Sequence, residues 1–229
     1  MNQFNHIGNN LKELSVDETS GVRFYVTPEG FKYPSVTTAL GYETKDGIER
    51  WKKRVGLEEA ARVSKKATEI GTRIHLLTEH YLKNNTKNLL TLTNESPFLV
   101  QNMFNNFTSK LNNINNIVAL EAPLYSNIIK LAGRTDCIAE YEGKLSIIDF
   151  KTSRSLKEER WIESYFMQGT AYSIMYQDLT KQKIEDIIIM IVNYDCSVDV
   201  FKKKRNDYVK PLITLLRRVL PNFGVTCEI

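Results

Sequence analysis

The segment from Leu131 to Lys151 constrains this chain more than any other. Leu131–Tyr141 and Lys144–Phe150 alternate apolar and polar residues as two half-buried strands do, and Glu142-Gly143 between them suits a two-residue hairpin loop. That loop sets Asp136 opposite Asp149, and the period of two puts Lys151 on the same face as Asp149. Carboxylates directly opposite on paired strands lie roughly 4.5–5.5 Å apart at Cβ and repel. A cation between them resolves the conflict. The plainer alternative is a surface hairpin on which Lys151 pairs with Asp149.

Two aspartates offer the hard oxygen ligands that Mg²⁺ or Mn²⁺ takes. Such a cation polarises a phosphoryl oxygen and activates a bound water, and Lys151 would orient that water or offset the developing charge. The pattern therefore points to phosphodiester hydrolysis.

The rest of the chain supplies a sheet and its covering helices. Ile187–Tyr194 is almost wholly apolar, as a central strand covered on both faces would be. Ile117–Tyr125 and Ile128–Tyr141 read as strands before the hairpin, and Val198–Lys202 as a further one. Leu57–Leu82 carries Ala60, Val63, Ala67, Ile70, Ile74, Leu77 and Tyr81 at helical spacing, the strongest helical pattern present. Shorter helices are expected from about Asp46 to Arg54 and from Pro97 to about Asn113, with a polar loop over 84–96. Ser155-Leu-Lys-Glu158 resembles a capping box for a helix running to about Tyr176, and Asp207 is expected to cap the last helix. Arg23–Val26 and Phe31–Val36 form an N-terminal hairpin around a Pro- and Gly-bearing turn. The expected fold is α/β, a central mixed sheet flanked by helices with an N-terminal hairpin and helical extension. Residues 1–21 read as a flexible N-terminus. Residues 22–229 read as a single domain, with hairpin and helices over 22–116 and the catalytic sheet and helices over 117–220.

Composition narrows the class. A hydrophobic content of 42% over 229 residues is enough to bury a core. The net charge of +4 is compatible with a nucleic-acid partner without demanding one. Cys137, Cys196 and Cys227 show no metal-type spacing, and three thiols cannot complete a four-cysteine iron–sulfur cluster. The longest apolar run, Ile187–Val192, is too short to span a bilayer. No membrane partner is expected, and a cytoplasmic location is. The Asn, Lys and Ile content suggests an AT-rich phage or bacterial genome.

Other polar residues fall where the same chemistry could use them. Gly71 interrupts the long helix at a cost of roughly 1 kcal/mol relative to alanine, which suggests close approach of a neighbour. His75 lies one turn later and Glu79 one turn beyond that; either is a site residue or an ordinary surface group. Glu121 precedes the hairpin and would add a carboxylate. Tyr165, Gln168 and Tyr172 share a helical face and could meet phosphates or bases, or form a half-buried aromatic stripe.

In order along the chain, Gly71-x-x-x-His75, Gly133-Arg134-Thr135-Asp136, Asp149-Phe150-Lys151-Thr152 and Gln168-x-x-x-Tyr172 resemble the RecB-like branch of the PD-(D/E)XK nucleases. Tyr33-Pro-Ser-Val-Thr37 and Trp51-Lys-Lys-Arg-Val-Gly56 are similar, more narrowly, to the mitochondrial genome maintenance exonucleases and their phage relatives. The resemblance runs over about residues 22–220. It implies a metal-dependent DNA exonuclease, cleaving by metal-activated water with one or two Mg²⁺ or Mn²⁺ ions and acting in replication, recombination or repair. On that pattern Asp136, Asp149, Phe150 and His75 hold metal, with Lys151 catalytic beside Asp136, Asp149 and His75. Gln168, Tyr172, Tyr165, Ser35, Thr37, Arg134, Thr152 and Ser153 would meet DNA, with Glu121 and Glu79 in support. The implied substrate is single-stranded DNA or DNA with free ends. An endonuclease, a duplex-end exonuclease and an inactive DNA-binding module remain as alternatives.

Overall fold

The computed structural model describes residues 3–19 and 21–226, so Cys227 lies outside the described residues. Its main sheet grows outward from the hairpin. Strands β4 (Ile114–Ser126), β5 (Leu131–Tyr141), β6 (Lys144–Ser153), β7 (Asp186–Asn193) and β8 (Val198–Lys204) lie in that order. Only β6 and β7 run parallel; the other neighbours are antiparallel. The hairpin forms with the expected register, Tyr141 opposite Lys144 and Cys137 opposite Ile148. Glu142 and Gly143 both take left-handed φ, +50° and +77°, as a tight hairpin loop of this hand requires.

Helices cover both faces. On one side α3 (Leu57–Leu82) and α5 (Phe98–Leu111) bury Ile70, Ile74, Leu77, Met103 and Phe107 against Ile148, Phe150, Ile188 and Met190. On the other, α6 (Glu163–Thr180) and α7 (Arg205–Val219) bury Phe166, Met175, Leu212 and Leu216 against Ile147, Ile187, Ile189 and Ile191. The apolar β7 is therefore central, because both its faces are core. The N-terminal hairpin is β2 (Phe24–Val26) and β3 (Lys32–Pro34), extended by a short β1 (Ser15–Asp17) into a small antiparallel sheet. Ahead of it Phe4 is buried and Ile7 bonds the main chain of Ile117. Then α1 (Val36–Gly41), capped by Ser35, and α2 (Lys45–Val55) lead into α3.

Four local expectations are corrected. Residues 84–96 are not a loop: the Asn85 side chain accepts from the Asn88 N–H and starts α4 (Thr86–Asn94), which buries Leu89. Ser155 caps nothing. Its N–H donates to the Ser153 hydroxyl, a 3₁₀ turn follows at Glu159–Trp161, and the helix begins only at Glu163. Asp207 is not the cap of α7 either, which begins at Arg205, but it sits in the first turn where a carboxylate favours the helix dipole. The strand expected from Ile128 also begins later, at Leu131, after a turn in which Lys130 has φ +54°.

The packing of α6 on β7 has little tolerance. A Cβ on Gly169 would meet Ile187 Cγ2 at 2.4 Å, on a stiff β-branched side chain that is itself fully buried. Gly169→Ala should cost about 1–3 kcal/mol in denaturant unfolding. A neutral result would mean that α6 moves away from β7 without penalty.

Candidate functional site

Helix α3 crosses β6 at Gly71, where a Cβ would sit 3.5 Å from Thr152 Oγ1. That close approach brings the next turn of α3 over the strands, and His75 Nδ1 comes to 3.7 Å from Asp136 Oδ1. Asp136 lies on β5 just where regular pairing with β6 ends. Its Oδ2 accepts the Phe150 N–H at 2.8 Å, so a side chain takes over from the ladder and the strands part there. On its other side, β4 pairs Leu120 with Cys137 and Ala122 with Thr135, leaving Glu121 opposite Asp136. Glu121 has φ +50°, rare for a residue of this kind, and Arg134 Nη1 donates to its carbonyl at 2.9 Å. One ligand atom each from His75, Glu121 and Asp136 lies within 4.8 Å of the others. They line an open hollow of about 540 Å³ together with Gly71, Thr72 and Glu79.

Asp149 stands outside that group of three. Its carboxylate is 1% exposed and forms an ion pair with Lys151, as the shared strand face requires. Gln168 of α6 donates to Asp149 Oδ1 at 3.1 Å, and the Lys151 ammonium lies 5.2 Å from the centre of the Tyr165 ring. Tyr172 is buried, with its ring and hydroxyl against Gly133.

A model of the PD-(D/E)XK nuclease superfamily matches residues 49–204, which hold all of these site residues. The chain belongs to this superfamily. It is 34% identical over 158 residues to mitochondrial genome maintenance exonuclease 1 of Homo sapiens, covering 61% of this chain and 42% of that protein. With the protein of the same name from Mus musculus it shares 33% over 132 residues, 54% of this chain and 38% of that one. The match thus spans about two fifths of the length of these relatives. A solved structure from Eubacterium rectale, named as a candidate exonuclease, overlaps 68% of this chain and 65% of its own at TM-score 0.47 and 11% identity.

Nuclease chemistry in this superfamily calls for a divalent cation, and the donor set fits one. An imidazole and two carboxylates converge on one hollow, and like charges at such range are relieved by a hard cation. The electrostatics agree. Burial, then the neighbouring Asp136 and Glu79, pushes the Glu121 carboxyl up to about 7. Burial pushes Asp149 up to about 6, although Lys151 pulls it down. For Lys151, burial alone would favour the neutral amine, but Asp149 and Asp136 outweigh it and hold the ammonium. Without metal, folded Glu121 keeps a proton that the unfolded chain releases above its ordinary value of 4.5. Ionisation of this group therefore erodes stability as pH rises from there through about 7. Glu121→Gln in EDTA should accordingly melt higher than the native chain at pH 8 by a wider margin than at pH 5. A margin independent of pH would show that Glu121 does not hold that proton.

The remaining expected residues are distributed unequally. Phe150 is in the centre through its N–H on Asp136, and its ring stacks edge-on to Phe107. Thr152 sits under Gly71, while the buried Ser153 hydroxyl donates to the Ser155 carbonyl. Glu79 reaches the hollow and pairs with Lys83. Arg134 bonds Glu13 as well as the Glu121 carbonyl, and has no ion pair with Asp149. Ser35 is buried as the cap of α1, and its bridge to Ala132 puts it four residues along β5 from Asp136, roughly 13 Å away. Thr37, exposed on α1, stays with it at that end. Sequence reasoning gave Glu121 only a supporting part, because its left-handed φ is invisible in a strand pattern. Among the described residues no helix is long and apolar enough to cross a membrane.

Proposed function

We propose that this chain is a divalent-cation-dependent DNA exonuclease acting on single strands or free ends, in DNA replication, recombination or repair. One observation carries the reading. Residues of separate motifs come together: His75, Glu121 and Asp136 converge on one hollow, and Asp149 with Lys151 lies on the strand next to that of Asp136. Mg²⁺ or Mn²⁺ would be held by His75, Asp136 and Asp149 with the Phe150 main chain and Glu121. When bound, it supplies Lewis acidity toward a phosphoryl oxygen and a water of lowered pKa.

The chain's own groups do the rest. Lys151, kept cationic by Asp149, orients the attacking water and offsets charge building on the phosphoryl oxygens. The attacking water gives up a proton as the new P–O bond forms in line, the bond to the leaving sugar oxygen breaks, and that oxygen takes up a proton. Gln168 fixes the Asp149 carboxylate, while Tyr172, packed on Gly133, positions Gln168 one turn away on α6. Tyr165 borders the Lys151 side of the centre and Thr152 the Gly71 side, and both meet the strand.

The test is cleavage of end-labelled single-stranded, duplex and closed circular DNA with Mg²⁺, Mn²⁺ or EDTA. Linear strands should be consumed only with metal, and circles spared. Nicked circles would move the assignment to an endonuclease. Binding without any cleavage, in a folded protein, would move it to a binding module.

A further inference from the structure

The two flanks of α3 face different hollows. Gly71, Thr72 and His75 face the metal-type cluster. Lys66 stands nine residues before His75, about two and a half turns, and so lies on the opposite flank. There Arg62, Val63 and Lys66 meet Arg154 and Tyr194 around a pocket of about 150 Å³. These residues come from α3, from the end of β6 and from the end of β7, so three cations converge that are scattered in sequence. The nearby acid Glu59 is held by Arg62 at 2.8 Å. Among the described residues Lys66 and Arg154 have no ion pair within 4.0 Å.

Lys66 also borders a second, larger hollow of about 500 Å³. Ile70, Leu99 and Val100 line it, with Arg73 and Glu69 at its rim. Arg62, Lys66 and Arg73 thus lie along one edge of α3, with Glu69 between the last two, a cationic pocket at one end and an apolar recess beside it. That combination matches a nucleic-acid strand, whose phosphates need cations and whose base faces need apolar cover. Arg154 follows Lys151 by three residues, about 10 Å of extended chain. An extended single strand spaces its phosphates about twice as widely as the duplex axial rise of roughly 3.4 Å, so this is about one to two nucleotides.

We propose that Arg62, Lys66 and Arg154, with Tyr194, form a second phosphate-binding pocket that holds the DNA backbone about one to two nucleotides from the cleavage centre. The proposal rests on the nuclease reading for its ligand. The contact of Gly71 with Thr152 separates this pocket from the catalytic hollow, so it holds a phosphate other than the scissile one. It therefore sets how much strand must be present for tight binding, leaving the chemistry itself unchanged.

The experiment measures anisotropy of labelled oligo-dT of two, four, eight and twelve nucleotides in EDTA, at low and moderate salt. It compares the native protein with Lys66→Ala/Arg154→Ala and with a control, Lys110→Ala/Lys144→Ala, which removes equal charge elsewhere. The pocket predicts a loss of roughly tenfold or more on the longer strands, little change on the dinucleotide, and a shallower salt dependence by about two phosphate contacts. The control should bind as the native protein does. Native affinity and salt slope at every length in the folded double variant would overturn the pocket, and so would an equal loss in the control. Native protein that binds long strands through this pocket without cleaving them in Mg²⁺ would instead overturn the nuclease reading alone. Failure of the native protein to bind any oligonucleotide would overturn both.

Discussion

Asp149→Asn should reduce DNA cleavage on the order of 10³-fold or more while leaving the protein folded. The substitution keeps the shape of a side chain that is 1% exposed, and its amide oxygen can still accept from Gln168. What it removes is the negative charge that holds the Lys151 ammonium and that would face the cation. Asp149→Ala is a poorer test. It strands Lys151 beside a new cavity, and breaking a buried pair from one side costs roughly 3–5 kcal/mol. The 22% exposure of Lys151 places the cost at the lower end of that range. Cleavage rate on a labelled strand, read beside a melting curve, separates the two effects. A folded Asp149→Asn protein with native activity would remove Asp149 from the mechanism.

Lys151→Ala should lose roughly 10²–10³ in rate, with a smaller change in the Mg²⁺ concentration that half-saturates activity. The pH dependence is distinctive. Burial raises the Asp149 carboxyl to about 6, and Lys151 is the group that opposes this most. Removing Lys151 lets that carboxyl rise further, so near neutrality protons compete with metal for it. Residual activity of the variant should therefore climb more steeply than native activity between pH 6 and 8, and its metal affinity should approach native only at the upper end. Equal losses in rate and metal affinity at every pH would make Lys151 a structural partner of Asp149.

How much of this was legible depended on how local each feature is. The hairpin register followed from Glu142-Gly143 and a period-two pattern, both of which act within a few residues. Helix α3 matched its expected limits because its apolar stripe repeats over 26 residues. Short elements were harder. The six residues of α1 and nine of α4 carry too few turns for periodicity, and their caps, Ser35 and Asn85, resemble ordinary loop residues. The Ser155 motif failed because a nearer partner, the Ser153 hydroxyl, takes the N–H.

By itself the sequence determined the strand hairpin that carries Asp136, Asp149 and Lys151, the long helix that carries His75, and the order of motifs that marks the superfamily. Only the tertiary structure decided which groups meet. A left-handed Glu121 set opposite Asp136, the approach of α3 at Gly71, and Gln168 reaching Asp149 from α6 all join residues far apart in the chain. The same holds for Arg62, Lys66 and Arg154. Local periodicity specifies which face of an element is apolar, but not how far each helix slides or turns on the sheet. Those displacements are settled by side-chain packing across the interface, and they bring the polar groups together.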